Sequence, residues 1–170
     1  MNLPSTRHLL LVEDNPDDVL LFQSALASAY PNASLTVVPD VISAFYYLRG
    51  EGHYADRQAC PFPYLVVIDL KLATVSGMEL VKWIRRLPVL GDRFIILVLT
   101  ASEDIRDAVE AYEQGANSFI IKQSNTRALA DSLKSAHERW SARGLNLPDD
   151  PVASARPAAG YLDDQLRTVW

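Results

Sequence analysis

The chain has 170 residues, 49% of them hydrophobic and 22% charged, which suits a globular protein with one domain and a short extension. Its formal net charge of −5 disfavours nucleic acid as a partner, since a nucleic-acid-binding surface needs basic residues. No apolar run approaches the length of a membrane span, and no signal-peptide segment precedes the first strand, so we expect a cytoplasmic protein.

Strand-like and helix-like segments alternate five times along the chain. The strands are apolar runs, which is typical of strands buried on both faces of a sheet. Such strands, each followed by a helix, predict an α/β fold with a (βα)5 doubly wound parallel sheet. The predicted strands are residues 8–14, 34–38, a run that ends at Asp69, 94–100 and 118–122.

Residue types at the helix ends support the same pattern. Proline and acidic residues favour the first turn of a helix, and glycine favours the position after its end. The fourth helix carries an apolar stripe at helical spacing, and the last helix is expected over roughly Thr126 to Arg143. The start signals are Pro16, Asp17, Asp18 and Asp40, the stop signals are Pro88 and Gly115, and the stripe is Ile105, Ala108, Val109 and Tyr112.

The composition changes near residue 145, where prolines, aspartates and small residues are typical of a linker. We therefore expect one domain over residues 1–144 and a C-terminal extension over 145–170. The last ten residues place Leu162, Leu166, Val169 and Trp170 on one side of a short helix. Such a helix is not stable alone in water, so this arm either frays or docks on another surface.

Polar side chains end four of the predicted strands. Glu13 and Asp14 end the first strand, Asp69 the third, Thr100 the fourth and Lys122 the fifth. The carboxyl ends of parallel strands meet at one crevice, where clustered carboxylates need a cation and suit Mg²⁺. Since a carboxylate can itself be phosphorylated, this arrangement indicates phosphoryl chemistry at Asp69, with a lysine and a hydroxyl to stabilise the phosphoryl charge.

Each of these residues also has a simpler interpretation. Glu13 and Asp14 could cap a helix, Lys122 could be a solvated strand end, and Phe119 could belong to the core. All of these interpretations must hold at once for the functional one to fail. An aspartyl-phosphate phosphatase would need a second aspartate where Lys71 stands, and a flavin-binding protein would need a glycine- or serine-rich loop after the first strand.

Four motifs in order give the chain a clear resemblance to the receiver domains of two-component response regulators, over about residues 7–143. The resemblance implies the flavodoxin-like receiver fold. The motifs are Leu-Val-Glu-Asp-Asn-Pro at 11–16, Val-Ile-Asp-Leu at 67–70 with Gly77 after it, Leu-Thr-Ala-Ser at 99–102, and Gly-Ala-Asn-Ser-Phe-Ile-Ile-Lys at 115–122.

The family resemblance implies a role for each site residue. Asp69 would accept a phosphoryl group from a histidine kinase. Asp14, Asp69 and the backbone carbonyl of Lys71 would bind Mg²⁺ directly, and Glu13 would act mainly through water. The protein would not be an enzyme in the ordinary sense, because it would only catalyse its own phosphorylation and a slow autodephosphorylation.

The same resemblance implies a switch. Thr100 would move toward the acyl phosphate, Lys122 would pair with it, and Phe119 would follow inward. These movements would alter the surface made by the fourth helix, the fifth strand and the fifth helix. The alternative is a phosphorylation-independent adaptor that keeps the fold only as an interaction surface.

Two positions differ from the usual family pattern, and a third could affect the lifetime of the phosphate. Ala73 replaces a usual proline, which we expect to loosen its loop, and Gln123 replaces the usual proline after the active-site lysine. Lys71 lies where its side chain could shield the acyl phosphate from water and lengthen its lifetime.

No second domain of useful size follows the last helix, so we expect a single-domain regulator with a protein–protein output. The long loop at 50–63, the Lys-Gln pair and the extension resemble the regulators that pair with bacterial phytochrome kinases. That resemblance implies a homodimer through the fourth helix, fifth strand and fifth helix, with a contribution from the C-terminal arm. Neither nucleic acid nor a membrane is expected as a partner.

Overall fold

Five parallel strands form one sheet in the order β2-β1-β3-β4-β5. The computed structural model describes residues 7–87, 94–101 and 105–143, so the predictions for Pro88 and for the extension at 145–170 lie outside the described residues. The strands are β1 (His8–Val12), β2 (Ser34–Val38), β3 (Leu65–Asp69), β4 (Ile95–Thr100) and β5 (Ser118–Ile121). The helices are α1 (Pro16–Ala29), α2 (Val41–Arg49), α3 (Gly77–Arg86), α4 (Ile105–Glu113) and α5 (Thr126–Ala142).

The predicted doubly wound α/β fold is confirmed. Successive strand residues point to opposite faces, so Leu9 and Leu11 pack with α1 and α5, whereas Leu10 and Val12 pack with α2 and α3. The strands β1, β3 and β4 are buried along their whole length, and the edge strand β2 is only partly buried. Strand order therefore explains why the inner strands are the most uniformly apolar.

Side chains at the helix starts fix where the chain leaves the sheet. The Asn15 side chain accepts hydrogen bonds from the amides of Asp17 and Asp18, with Pro16 in the first turn. Asp40 accepts from the amide of Ser43 at the start of α2, as the sequence predicts. These caps set the first turns of both helices against the carboxyl ends of β1 and β2.

The apolar stripe predicted for α4 is wrong as an account of its buried face. Ile105, Val109 and Tyr112 are exposed to 74%, 48% and 45%, and the buried residues of α4 are Ala108 and Ala111. Small alanines let the helix axis approach the sheet closely, so the large side chains are turned outward. The predicted stop signal is confirmed, since Gly115 (φ 101°) adopts the left-handed conformation just after the helix.

The loop between α2 and β3 is tied to the sheet by side chains. His8 contacts the Ser34 hydroxyl through Nδ1 (2.8 Å) and the Tyr47 hydroxyl through Nε2 (2.7 Å). Tyr47 in turn donates to the carbonyl of Pro61 (2.6 Å). Arg57 donates to the carbonyl of Tyr47 and lies over the rings of Tyr47 and Phe62. A polar relay thus links β1, α2 and the loop.

Within the described residues, none of the helices has the length and apolar character needed to cross a membrane.

Candidate functional site

The carboxyl ends of the strands bring the predicted site residues together. Glu13 and Asp14 follow β1, Asp69 is the last residue of β3, and Lys122 follows β5. Thr100 is buried at the end of β4, where its carbonyl accepts from the amide of Lys122 (2.8 Å). The crevice expected from the topology is therefore present and contains both acidic and basic groups.

Three carboxylates form a cluster with the composition of a divalent-cation site. Glu13, Asp14 and Asp69 each offer an oxygen, and these oxygens lie within 4.8 Å of one another. Glu13 and Asp69 are buried and Asp14 is exposed, so the cluster is open to solvent on one side. Carboxylates at this spacing repel one another, and a hard divalent cation that accepts oxygen ligands relieves the repulsion. The residues present therefore fit a bound divalent metal.

Backbone amides orient the two buried carboxylates. The amide of Asn15 donates to Glu13 Oε1 (3.0 Å), and the amide of Lys71 donates to Asp69 Oδ1 (3.0 Å). Burial raises the pKa of Glu13 above its ordinary value, and the charge of Asp69 adds to the rise. Hydrogen bonds from Lys122 and from the Asn15 amide oppose it. Both carboxylates thus have one oxygen fixed by the chain.

The exposed carboxylate is held from the neighbouring loop. The amide of Ala73 donates to Asp14 Oδ2 at 2.8 Å. A proline has no amide hydrogen, so the alanine here makes a bond that the usual family residue could not make. This bond ties the β3–α3 loop to Asp14, whereas the loosening expected at Ala73 stays a prediction.

Lys122 lies at the centre of the crevice. Its Nζ atom is 2.7 Å from Glu13 Oε2, 2.9 Å from Asp69 Oδ2 and 2.7 Å from Asp18 Oδ2. Burial alone would lower the pKa of Lys122, but the hydrogen bonds to the three carboxylates outweigh burial and raise it above its ordinary value. The lysine is thus a fixed cation beside Asp69.

Asp18 is a site residue that the sequence reasoning missed. It is in the first turn of α1, where the pattern predicts only a favourable charge at the helix start. The sequence shows only that the start of α1 follows closely after the carboxyl end of β1. Asp17 has the same charge at the neighbouring position and is exposed, so sequence alone does not separate the two.

The β3–α3 connection packs tightly beneath Asp69. The start of α3 approaches the strand so closely that a Cβ at Gly77 would overlap the backbone oxygen of Asp69 and the side chain of Ile68. The amide of Gly77 also donates to the carbonyl of Leu70 (3.2 Å). Only glycine fits at this position, which explains its place in the motif.

The remaining predicted residues lie around the crevice. Phe119 on β5 is half-buried and meets the Tyr112 ring edge-on at 5.9 Å. The Lys71 side chain is exposed beside Asp69. The described residues contain no cis peptide bond, so the Lys122–Gln123 bond is trans, and the Gln123 side chain donates to the carbonyl of Ile121.

Residues 9–134 match the model of the response regulator receiver domain family. The chain belongs to this family. Its receiver domain contains the Asp69 carboxylate, the acidic pair after β1 and the lysine after β5 that the resemblance predicts.

Several relatives of this receiver domain are phytochrome regulators. It is 30% identical to the response regulator Rcp1 of Synechocystis sp. over 132 residues, which cover 78% of this chain and 87% of Rcp1. The phosphorylated cyanobacterial phytochrome response regulator RcpA superposes with a TM-score of 0.69 at 33% identity, covering 81% of this chain and 96% of RcpA. The bacteriophytochrome response regulator AtBRR gives a TM-score of 0.67 at 31% identity, covering 79% of this chain and 92% of AtBRR. The receiver domain therefore resembles this group in both sequence and structure.

One of these relatives has been solved with a metal. The Mn²⁺-bound form of Rcp1 superposes on this receiver domain with a TM-score of 0.66 at 29% identity, over 79% of this chain and 94% of Rcp1. A metal-bound relative agrees with the divalent-cation character of the acidic cluster.

Proposed function

We propose that Asp69 accepts a phosphoryl group from a histidine kinase and that the phosphorylated receiver then acts on another protein. The observation that carries this proposal is the position of the Asp69 carboxylate, which is 3% exposed and 2.9 Å from Lys122 within the acidic cluster. Burial of a carboxylate beside a lysine and two further carboxylates has a cost that a purely structural residue does not explain.

The reaction transfers the phosphoryl group from an imidazole nitrogen of the kinase to Asp69. An oxygen of the carboxylate forms a bond to phosphorus while the bond between phosphorus and the imidazole nitrogen breaks. Lys122 donates a hydrogen bond to a phosphoryl oxygen, and the Thr100 hydroxyl donates to another. Thr100 ends β4, the strand paired with β3, and the Nζ atom of Lys122 already lies 2.9 Å from Asp69 Oδ2, so both groups start near the phosphoryl group.

The acidic cluster is proposed to bind Mg²⁺. Asp14, Asp69 and the carbonyl of Lys71 would bind it directly, and Glu13 would act through water. When bound, Mg²⁺ supplies positive charge that neutralises the phosphoryl oxygens. The Ala73 amide binds Asp14 Oδ2 and leaves Asp14 Oδ1 for this role.

The phosphoryl group is proposed to leave again by slow self-catalysed hydrolysis. Water must reach the phosphorus atom from the open side of the crevice. Lys71 is exposed two residues after Asp69, and its side chain is proposed to restrict the approach, which favours a longer-lived phosphate.

The kinase partner is proposed to be of the bacterial phytochrome type, and the setting is proposed to be the cytoplasm. The support is the likeness to Rcp1, RcpA and AtBRR, since the latter two are described as phytochrome and bacteriophytochrome response regulators. Histidine kinases of two-component systems phosphorylate their regulators in the cytoplasm. A protein–protein output agrees with the acidic net charge of −5.

The phosphorylated receiver is proposed to act as a homodimer through α4, β5 and α5. The exposed apolar side chains of α4 support this surface, because Ile105, Val109 and Tyr112 lie together on one side of the helix. The C-terminal arm over 145–170 would contribute further contacts.

Intact mass after incubation with phosphoramidate and MgCl₂ tests phosphorylation. We expect a gain of ~80 Da, one phosphoryl group, in the wild type and none in Asp69→Asn. Asp131→Asn is the matched control, since Asp131 is exposed on α5 and its substitution leaves the gain unchanged. A folded wild type that gains no mass would favour the phosphorylation-independent adaptor instead.

A further inference from the structure

The ammonium group of Lys122 has as many hydrogen-bond donors as it has carboxylate partners. An ammonium carries three N–H bonds and accepts none. Oxygens of Glu13, Asp18 and Asp69 lie 2.7, 2.7 and 2.9 Å from its nitrogen. The ammonium donates hydrogen bonds to Asp18 and Asp69, and Glu13 Oε2 lies at ion-pair distance, so the bonds to Asp18 and Asp69 together set the orientation of the ammonium.

The three acceptors differ in what else the site requires of them. Glu13 and Asp69 belong to the acidic cluster, and Asp69 is also the group that would be phosphorylated. Asp18 is not part of that cluster among the described residues. It is therefore the acceptor that stays available to Lys122 while the other two change partners.

Asp18 sits on a rigid base. It is the third residue of α1, and its amide donates to the Asn15 side chain that caps the helix. Pro16 restricts the first turn further. A carboxylate fixed in this way can hold a flexible lysine side chain in one place.

We propose that Asp18 is a positioning residue for Lys122. It holds one N–H bond of the ammonium toward α1 so that another points at Asp69 and at the phosphoryl group formed there. This inference rests on the proposed function of Asp69. A preoriented cation stabilises the transferred charge without first losing side-chain freedom, so the anchor accelerates the transfer.

Asp17 provides a matched control for the kinetic test. Asp18→Ala and Asp17→Ala remove the same charge from the same turn of α1, but only Asp18 contacts Lys122. We expect the initial rate of phosphorylation by phosphoramidate with MgCl₂ to fall about fivefold in Asp18→Ala and to stay within about twofold in Asp17→Ala. Asp18→Asn keeps an acceptor oxygen without the charge, so an intermediate rate is expected.

The anchor can also be measured without phosphorylation. The ammonium ¹H–¹⁵N signal of Lys122 is identified by its loss in Lys122→Arg. It should be visible in the wild type and in Asp17→Ala, because hydrogen-bonded ammonium protons exchange slowly with water. It should broaden or disappear in Asp18→Ala, which a merely structural role in α1 would not produce.

The outcomes separate the anchor from the proposed function. Equal rates and equal lysine signals in the two alanine variants would overturn the role of Asp18. A wild type that is not phosphorylated at all would overturn the proposed function and, with it, the effect of Asp18 on rate. The lysine signal would still decide whether the anchor exists.

Discussion

Asp14 is the exposed member of the acidic cluster, and one backbone hydrogen bond from Ala73 orients it. The substitution Ala73→Pro removes the donor and leaves the carboxylate free to rotate. We expect the affinity for Mn²⁺, measured by titration calorimetry, to fall about fivefold, the equivalent of about 1 kcal/mol for one hydrogen bond. Ala73→Ser keeps the amide and should bind Mn²⁺ as the wild type does. An unchanged affinity in the proline variant would show that the bond does not orient Asp14.

Gly77 is constrained by space and not by its backbone angles. A methyl group there would overlap the Asp69 backbone oxygen, so Gly77→Ala must displace the start of α3. We expect the free energy of unfolding in urea to fall by about 2 kcal/mol, as for other overpacked sites. Gly52→Ala is the comparison, since its Cβ would have open space and the cost of about 1 kcal/mol would come from φ +59° alone. Equal losses in the two variants would argue against the overlap.

The polar relay around His8 adds hydrogen bonds between β1, α2 and the loop after α2, which also pack together in the apolar core. The Tyr47 hydroxyl donates to the Pro61 carbonyl and bonds to His8 Nε2. The substitution Tyr47→Phe therefore removes two hydrogen bonds while keeping the ring. We expect a loss of about 1–3 kcal/mol in the free energy of unfolding, because the Pro61 carbonyl loses its donor and His8 Nε2 keeps only the longer contact with the Thr36 hydroxyl (3.2 Å). Tyr46→Phe is the control, since Tyr46 is exposed on the same helix. A loss no larger than that of the control would show that the relay adds no stability.

Burial lowers the pKa of His8 below its ordinary value of 6.5. Between the lowered pKa and 6.5 the unfolded chain binds more protons than the folded one, so the free energy of unfolding decreases as the pH falls through this window. Burial lowers the pKa of His137 too, so both histidines contribute to the slope. We expect His8→Gln to remove part of the slope in pH-dependent urea unfolding, while His53→Gln, exposed in the loop, keeps it. An unaltered slope in His8→Gln would contradict this role.

At the level of elements, the sequence predicts most of the fold because the inner strands are apolar throughout and the starts of α1 and α2 have capping signals. The orientation of α4 could not be predicted in the same way. Its large apolar residues and its two alanines both occur at helical spacing, and hydrophobicity favours the wrong face. The distance between α4 and the sheet decides which face is buried, and that distance depends on the side chains of the sheet beneath the helix.

The part of the candidate site that lies at the strand ends can be predicted from the sequence. Asp69, Glu13 and Lys122 follow from their strands, and the structure brings them within hydrogen-bonding distance. Asp18 and the Ala73 amide are not predictable, since one is carried by a helix and the other is a backbone group of a loop. Contacts of this kind depend on the angle at which each element leaves the sheet.

At the scale of the whole molecule, the exposed apolar side of α4 allows the proposed homodimer to be tested. Val109→Glu places a charge among the apolar side chains of the proposed interface, so burial in a dimer becomes unfavourable. We expect sedimentation velocity to show a smaller species than the wild type, most clearly after phosphorylation. Leu20→Glu is the control, since Leu20 is an exposed apolar residue on α1, outside the proposed interface, and its change should leave the size unaltered. The same size for both variants would remove α4 from the interface.

The tight fit at Gly77 has a consequence for how a change at Asp69 spreads. The start of α3 packs directly on the end of β3, because a Cβ at Gly77 would overlap the Asp69 backbone oxygen. If Asp69 is phosphorylated as proposed, a displacement at Asp69 meets close packing on that side of the molecule. The compliant side is the one bordered by β4 and β5, where Phe119 is only half-buried and α4 rests on alanines. Close packing between β3 and α3 would thus direct the structural change proposed on phosphorylation toward β4, β5 and α4.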